Sequence, residues 1–495
     1  MPKHAFAGAA VLMLSTAGGA VAEIDAQTIW SDWQDVYARF GGTLEAASED
    51  YAGGVLALTG VTATNTVGGV ESTTAYGDVT LTETPDGTVE IGLDEAVETE
   101  TTATFEDVTQ TQTMRLSQEG LTIMVSETDG VRLYDIDGEV LRMEMSDGQS
   151  SDPDLAAPQS FTIGLSDLAS EYRSGIDGDP NAFAQDLRAA GVTVTAGPVS
   201  APDSLSYGAT GIEGEVTGNY GAMPEGPVES LADTNITYAG EIRHGGATLR
   251  LEPEVDGDDG GRSPSEIEGV SEAGRATFEM TGDALTYLLG TTNNALTLGL
   301  PNFPVPVEVA MAEASSGVTL PLTEAGTEAP FGLDLALRDF TIDESVWGLV
   351  DPSGQLPRDP ATLVVDLDGM AKMNVDLFGG PDAFANLAGP PGELTSLSLN
   401  EVLIDAVGAV LRASGDLDFP TPDPTVPVGT IELALDGGFA LIDRLVALGL
   451  IPAEQAAFVK GMSGAVATQV GEDQLESTIV FDEDGGIAAN GLTLR

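Results

Sequence analysis

The sequence predicts a mainly β protein (β-rich α+β), in which elongated, twisted antiparallel sheets carry short packed helices. Three observations predict this fold class. Between residues 43 and 148, apolar side chains recur at every second position, as at Val89, Ile91 and Leu93. Asp-Gly pairs separate such runs and supply the positive φ angles that tight hairpin turns require. Apolar residues make up 42% of the 495 residues, which is enough for a packed core.

The chain is strongly acidic. It contains 80 Asp plus Glu and 18 Lys plus Arg, so its formal net charge is −62. Nucleic-acid binding needs clustered cations, so we predict no nucleic-acid partner. The absence of cysteine excludes disulfides, thiolate metal sites and a cysteine nucleophile. We interpret the acidity as a solvated surface whose self-repulsion is screened by salt, and a polyanion that gathers cations is the alternative.

Residues 1–22 predict a secretory signal peptide. A positive start with Lys3 leads into an apolar run that ends at Leu14, and Ala20 and Ala22 frame a cleavage site. The apolar run is shorter than the about 20 residues that span a bilayer. We therefore expect a mature chain that starts at Glu23 and is exported to the periplasm or secreted, and not an integral membrane protein.

Residues 25–40 predict the first helix of the mature chain. Asp25 stands in the N-cap position, and Gly41 stands where a C-terminal glycine ends a helix. Apolar side chains, among them Trp30 and Trp33, recur along it at helical spacing. We interpret this stripe as the surface that docks the helix on a sheet, and the alternative is an exposed stripe that binds a partner or a sugar.

The remaining elements follow from alternation and turn residues. Residues 43–148 predict an antiparallel meander with one apolar and one acidic face, with Asp-Gly turns at 86–87, 129–130, 137–138 and 147–148. Five strand–helix units are predicted after it, with helices at 167–172, 283–289, 344–350, 381–387 and 439–448. A helix at 453–470 and a hairpin of strands 474–481 and 487–494 end the chain. The segment 256–264 is predicted to separate an N-terminal domain, 23–255, from a C-terminal domain, 265–495.

Residues suited to catalysis or metal binding are few. Only His244 remains after cleavage, whereas a zinc site needs about four ligands, usually including several His or Cys. We predict no catalytic, cofactor-binding or metal-binding residues and no cofactor. Calcium stays open as a weak alternative at Asp256, Asp258 and Asp259, although this loop lacks the later ligands of an EF-hand. Two carboxylates suffice for glycoside hydrolysis, so a carbohydrate-active hydrolase is the alternative function.

One stretch is similar to a known family. Residues 345–369, SVWGLVDPSGQLPRDPATLVVDLDG, resemble the signature of domain-of-unknown-function family twenty-one twenty-five, from alphaproteobacterial envelopes. The exported start, the Trp-x-x-Trp helix and the stretch 431–452 are similar to that family as well. The family has no established activity, substrate or catalytic residues, so the resemblance implies an exported envelope protein and nothing about chemistry.

The residues of this stretch nevertheless predict local structure. Trp347 is expected to be a buried anchor, because a side chain this large needs burial. Arg358 is expected to pair with a carboxylate, and binding of an anionic ligand group is the alternative. The predicted structural signature consists of Trp347, Asp351, Pro352, Arg358, Asp359 and Pro360.

The function that these features predict is non-catalytic. We expect an exported protein that binds or scaffolds an apolar, lipid-like ligand along a sheet face, or an envelope protein partner. A purely structural envelope protein is the third hypothesis, after the hydrolase. A trough lined by apolar side chains would favour ligand binding, and a polar cleft with two facing carboxylates would favour hydrolysis.

Overall fold

A computed structural model of the chain describes residues 24–39, 41–67, 70–105, 108–146, 148–151, 160–197, 204–221, 235–256, 262–299, 305–377, 390–421 and 426–495. Strands dominate these residues and the helices are short, so the predicted fold class, mainly β with short packed helices, is confirmed. Contacts divide the described chain into two compact units. The N-terminal unit runs to Val255 and includes Glu279–Gly282, and the C-terminal unit contains the described residues from Asp256 onward outside that segment.

The N-terminal unit begins with helix α1, Ala26–Arg39, which is followed by strands. The strands are β1 (Thr43–Glu45), β2 (Ser48–Ala52), β3 (Val55–Val67), β4 (Val70–Glu83), β5 (Val89–Leu93), β6 (Ala96–Phe105), β7 (Val108–Glu119), β8 (Thr122–Thr128), β9 (Val131–Met145), β10 (Gln149–Ser150), β11 (Phe161–Ser174), β12 (Ala182–Ala196), β13 (Ser204–Asn219), β14 (Thr237–His244) and β15 (Ala247–Glu252).

Strand pairing in this unit is antiparallel, with one departure from a simple meander. Strands β3, β4, β5, β8, β9, β11, β12 and β13 are neighbours in that order. The hairpin β6–β7 is inserted between β5 and β8 in the chain, and β7 pairs with the C-terminal half of β9. Strand β9 therefore has β8 and β7 along one edge and β11 along the other.

One predicted turn in this region is wrong. Asp137 and Gly138 lie inside β9, where Asp137 pairs with Thr122 of β8 and Gly138 pairs with Leu168 of β11. Pairing on both edges holds them extended and overrides the local turn preference. The turn at Asp129-Gly130 is confirmed, since both residues have positive φ angles, 53° and 80°.

Helix α1 docks on the sheet by its aromatic stripe, as predicted. Trp30 and Trp33 are each 4% exposed and pack in a core with side chains of β3, β4, β5 and β8. The side chain of Asp25 caps the helix by accepting a hydrogen bond from the backbone N–H of Thr28 at 2.7 Å. Gly41 follows the helix with a φ of 73°, and Phe40 lies outside the described residues.

The next strands are β16 (Glu254–Asp256), β17 (Arg262–Pro264), β18 (Glu266–Ser271), β19 (Ala273–Met280), β20 (Ala284–Gly299), β21 (Val307–Pro321), β22 (Glu328–Ile342), β23 (Ala361–Met373), β24 (Gly392–Ala406), β25 (Ala409–Asp418), β26 (Val428–Asp436), β27 (Thr468–Gly471), β28 (Gln474–Phe481), β29 (Ile487–Ala489) and β30 (Leu492–Thr493). Helices α2 (Glu344–Val350), α3 (Gly438–Ala447) and α4 (Ala453–Val466) lie among them. Strands β20 to β26 pair antiparallel in chain order, and β28 follows β26.

The predicted strand–helix units have mixed outcomes. The helices at 344–350, 439–448 and 453–470 are confirmed by α2, α3 and α4, although α4 already ends at Val466. The predicted helices at 167–172 and 283–289 are wrong, because these residues lie in the long strands β11 and β20, apart from Asp283 just before β20. A single helical turn or two is not stable without packing, whereas both segments pair with neighbouring strands. The helix at 381–387 lies outside the described residues.

Candidate functional site

One side of the sheet in the C-terminal unit is apolar across eight neighbouring strands, β20–β26 and β28. Directly opposite residues of paired strands lie on the same side of a sheet. One row of such residues consists of Tyr287, Val318, Leu333, Leu367, Leu399, Gly415, Ile431 and Ile479. Two parallel rows consist of Leu289, Ser316, Leu335, Val365, Val402, Ala413, Leu433 and Ser477, and of Leu337, Leu363, Ile404, Leu411, Leu435 and Leu475. We call these three rows the apolar face.

The opposite side of the same strands is acidic. Asp334 stands between Leu333 and Leu335 in β22, and it is directly opposite Asp366 of β23. Further carboxylates continue this side along the neighbouring strands, namely Asp368, Glu401, Asp416, Glu432 and Glu476. Alternation along the strands, shifted by one residue at irregular positions, therefore places most of the apolar residues on one side and most of the carboxylates on the other. The charged side also contains buried apolar residues, as at Ala336 opposite Val364.

The apolar face is incompletely covered. Leu289 is 53% exposed, Leu333 is 45% exposed and Ile404 is 42% exposed, and most other members of the rows are half-buried. A second layer packed on a sheet would bury such side chains. Since paired strands lie about 4.8 Å apart, the seven spacings across eight strands make the first two rows about 34 Å long, and the five spacings of the third row make it about 24 Å long.

Helices lie at two borders of the apolar face. At one border, Val346 of α2 packs on a cluster that includes Val309, Leu337 and Phe340. At the other border, the carbonyl oxygen of Val466 in α4 accepts hydrogen bonds from Ser477 Oγ at 2.6 Å and from Asn490 Nδ2 at 3.2 Å. Ser477 is a member of the apolar face, so the C-terminal end of α4 contacts that face directly.

Residues with positive φ angles keep apolar side chains on one side of the sheet at positions where strict alternation would place them on the other side. Leu337 and Phe340 are three residues apart in β22, yet both pack in the same cluster. Asp339 between them has a φ of 52°, which shifts the alternation by one residue. Ala209 and Ile212 share a cluster in the same way across Gly211, whose φ is 62°. Without an alignment of strands, the sequence alone does not reveal these positions.

The N-terminal unit has a similar apolar side. A row of half-buried residues crosses β7, β9, β11, β12, β13 and β15, namely Leu116, Met143, Ile163, Val194, Tyr207 and Leu249. Nearer to α1, aromatic rings of successive strands touch: Tyr134 and Tyr172 have centroids 6.0 Å apart, and Tyr172 and Phe183 6.1 Å apart. Tyr220 stacks on Phe183 at 4.5 Å. These rings extend the core under α1 and are mostly enclosed.

The predicted signature forms a folded segment around Arg358. The Arg358 guanidinium lies over the Trp347 ring, 5.6 Å from its centroid, and pairs with the carboxylate of Glu344. Trp347 is half-buried and α2 buries none of its residues, so the expectation of a buried anchor is wrong. The physical reason is that α2 lies at the surface, where its Leu349 is 61% exposed. The guanidinium of Arg358 covers the Trp347 ring only in part.

Asp351 is the buried residue of this segment. It has no solvent exposure, and its carboxylate accepts hydrogen bonds from the backbone N–H of Leu356 at 2.7 Å and from Ser353 Oγ at 3.2 Å. Burial raises the pKa of Asp351, but these hydrogen bonds, one from the backbone of Gln355 and the charge of Arg358 outweigh it, so the pKa lies below its ordinary value. The other signature residues, Pro352, Asp359 and Pro360, are exposed.

Groups that could do chemistry are placed as follows. His244 Nε2 is 3.3 Å from the Tyr207 hydroxyl, and His244 Nδ1 is 2.7 Å from the carbonyl oxygen of Gly245. Within the described ranges, no group of three or more His, Asp or Glu side chains is arranged to hold a metal ion. The acidic loop with Asp258 and Asp259 lies outside those ranges.

The carboxylates that most resemble the catalytic pair of a glycoside hydrolase lie on the acidic side of the sheet. Asp334 faces Asp366 across the strands, and Asn400 Nδ2 donates hydrogen bonds to Asp366 at 3.0 Å and to Asp368. Burial raises the pKa of Asp334, and the charges of Asp366 and Asp368 raise it further. Asp334 and Asp368 are exposed, and Asp366 is half-buried.

Comparison with known proteins adds no relative. No family model, no curated protein and no solved structure matches this chain. The resemblance of residues 345–369 to a family of envelope proteins therefore stays a prediction. Among the helices that the structure describes, none combines the length and the apolar character needed to cross a bilayer.

Proposed function

We propose that this protein is an exported, non-catalytic binding protein that holds an apolar, lipid-like ligand against its apolar face. The observation that carries the proposal is the exposure of Leu289, Leu333 and Ile404 within continuous apolar rows. Burial of apolar area contributes about 25 cal/mol per Å² removed from water, so an apolar ligand gains binding free energy along every row that it covers. The export part of the proposal rests on residues 1–22, and the envelope location rests on the resemblance of residues 345–369.

The backbone of the sheet favours an acyl chain over a peptide as the occupant. Strands β21–β26 are paired on both edges, so their N–H and C=O groups have ladder partners. A peptide laid across them would lose hydrogen bonds to water without replacement, which costs free energy, whereas an acyl chain has none to lose. The apolar face is also long enough for an acyl chain. Its longest rows are about 34 Å, whereas one leaflet contributes roughly 15 Å to a bilayer core.

Fluorescent fatty-acid binding to the mature protein tests this proposal. Leu333→Glu places a charge in the middle of the apolar face and is expected to weaken binding by about tenfold or more. Leu288→Glu is the matched control, because Leu288 is similarly exposed, at 40%, but pairs with Gly317 in the row of Asp334 on the acidic side. Absence of binding to the wild type, or an equal loss in both variants, would contradict the proposal.

A carbohydrate-active hydrolase is the second candidate. It is supported by the raised pKa of Asp334 next to Asp366, since a general acid and a second carboxylate are the groups that glycoside hydrolysis needs. Hydrolysis of aryl glycosides that is lost in Asp334→Asn would establish it, and no turnover by the wild type over a panel of sugars would exclude it for those sugars.

A further inference from the structure

Arg444 of helix α3 is a half-buried cation that forms no ion pair with any carboxylate in the described part of the chain. Its polar contact is a long one, 3.5 Å from Nη1 to the carbonyl oxygen of Val407. Carboxylates are abundant in this chain, with 80 Asp plus Glu against 18 Lys plus Arg. Three cations of neighbouring elements, Arg358, Arg412 and Lys460, are each paired with one of them. Arg444 is therefore a charge that the fold leaves unmatched.

Arg444 lies at one end of the apolar face. Helix α3 starts on the apolar side of the sheet, because a Cβ atom added at Gly438 would lie 2.6 Å from Cδ2 of Leu435, a member of the third row. A Cβ atom added at Gly408, in the turn between β24 and β25, would lie 2.9 Å from Arg444 Nη1. Gly408 precedes Leu411 of the same row by three residues, about 10 Å along an extended strand. The guanidinium therefore lies close to the third row of the apolar face.

The same turn also borders the predicted signature segment. Pro357 Cγ would lie 2.9 Å from a Cβ atom added at Gly408, so Pro357 and Arg444 adjoin one turn. Arg358 follows Pro357, but its guanidinium is already paired with the carboxylate of Glu344. Of these two arginines at the end of the strands, Arg444 is the one whose charge is available to a ligand.

The position of Arg444 within α3 explains only part of its role. It stands in the last turn, where a cation stabilises the partial negative charge of a helix C-terminus. One long contact to Val407 leaves most of the guanidinium N–H donors without a protein partner. The planar arrangement of these donors fits the oxygen pair of a carboxylate or a phosphate.

We propose that Arg444 binds the acidic headgroup, a carboxylate or a phosphate, of an amphiphile whose acyl chain lies on the apolar face. This inference rests on the proposed function, which supplies the site of the acyl chain, and it narrows the ligand to an anionic one. At physiological ionic strength charges are screened within about 8 Å, so repulsion by distant carboxylates is weak. Nearer carboxylates have counter-charges: Asp443 of α3 pairs with Lys460, and Asp436 at the end of β26 pairs with Arg412.

Displacement of the neutral dye Nile red from the mature protein tests the headgroup site. Dodecanoate, dodecyl phosphate and dodecanol have the same chain length and differ in their headgroups. Arg444→Gln is expected to weaken binding of the two acids about tenfold and to leave dodecanol within about twofold, because only the acids carry a headgroup charge. Arg444→Lys is expected to recover part of the loss, since it restores the charge without the planar donors.

Arg412→Gln is the matched control. It removes the same charge near the same strand ends, but from an ion pair with Asp436 whose side chains are 57% and 39% exposed. We expect this variant to bind all three ligands like the wild type. Thermal melting verifies that the variants are folded, and Arg444→Lys keeps the comparison of acids with dodecanol available if Arg444→Gln is less stable.

The outcomes separate this inference from the proposed function. Equal weakening of acids and dodecanol in Arg444→Gln would overturn the inference, because Arg444 would then only hold α3 on the turn. Unchanged acid binding in Arg444→Gln, or the same loss in Arg412→Gln, would overturn it too. Competition with dodecanoate by inorganic phosphate at equal concentration would assign Arg444 to a free anion instead. Failure of the proposed function has a different result, since dodecanol would then not bind to the wild type either.

Discussion

Replacement of Arg132 by Leu is expected to destabilise the N-terminal unit by about 3–5 kcal/mol at pH 7, the usual cost of removing one partner of a buried ion pair. The Arg132 side chain is 3% exposed and lies between two carboxylates. Its guanidinium is 2.5 Å from Asp32 of α1 and 2.8 Å from Glu127 of β8. The substitution leaves these two groups, 21% and 19% exposed, without the Arg132 counter-charge and removes the ion pair that joins Asp32 of α1 to the sheet.

The cost of Arg132→Leu is expected to depend on pH. Burial raises the pKa of Asp32 above its ordinary value, although the hydrogen bond and charge of Arg132 lower it in part. A carboxyl group whose folded pKa is raised contributes stability that is present below the unfolded pKa and is lost as pH rises through the folded pKa. Without Arg132 the pKa of Asp32 rises further, so the free-energy cost of the substitution is expected to fall between pH 7 and pH 4.

Urea unfolding followed by tryptophan fluorescence measures this cost, because Trp30 and Trp33 are buried under α1. Arg142→Leu is the control, since its ion pair with Glu144 is 3.6 Å long and both side chains are largely exposed. Exposed pairs contribute about 0–1 kcal/mol. A cost for Arg132→Leu no larger than that of Arg142→Leu, or a cost that is the same at both pH values, would refute the reasoning.

Two further predictions concern stability and export. Trp33→Ala is expected to lower the free energy of unfolding by about 3–5 kcal/mol, because the side chain is buried. Trp347→Ala is expected to lower it by about 1–2 kcal/mol, because this ring is half-buried under Arg358. Equal decreases in melting temperature would contradict this order. The mature protein is expected to begin at Glu23 by mass spectrometry after expression in a host with two membranes, and an intact residue 1 would show that residues 1–22 are not a signal.

Local patterns were sufficient for the fold class and for α1. Alternation of apolar residues and Asp-Gly turns depend on neighbours in the chain, and a helix cap such as Asp25 acts within one turn. The same patterns failed where distant strands decide the conformation. Asp137-Gly138 is extended because β8 and β11 pair with it, and residues 167–172 belong to a strand because β9 and β12 pair with them.

The sequence by itself determined the charge, the lack of thiol chemistry and the alternation that gives each strand an apolar side. It did not determine which strands are neighbours, because strand register depends on hydrogen bonds between residues far apart in the chain. Only the tertiary structure aligns Leu289, Leu333 and Ile404 in rows on one surface and leaves that surface open to solvent. Exposure, too, is a property of the packed molecule: Trp33 and Trp347 belong to the same residue type, but a sheet covers the first and a single arginine covers the second.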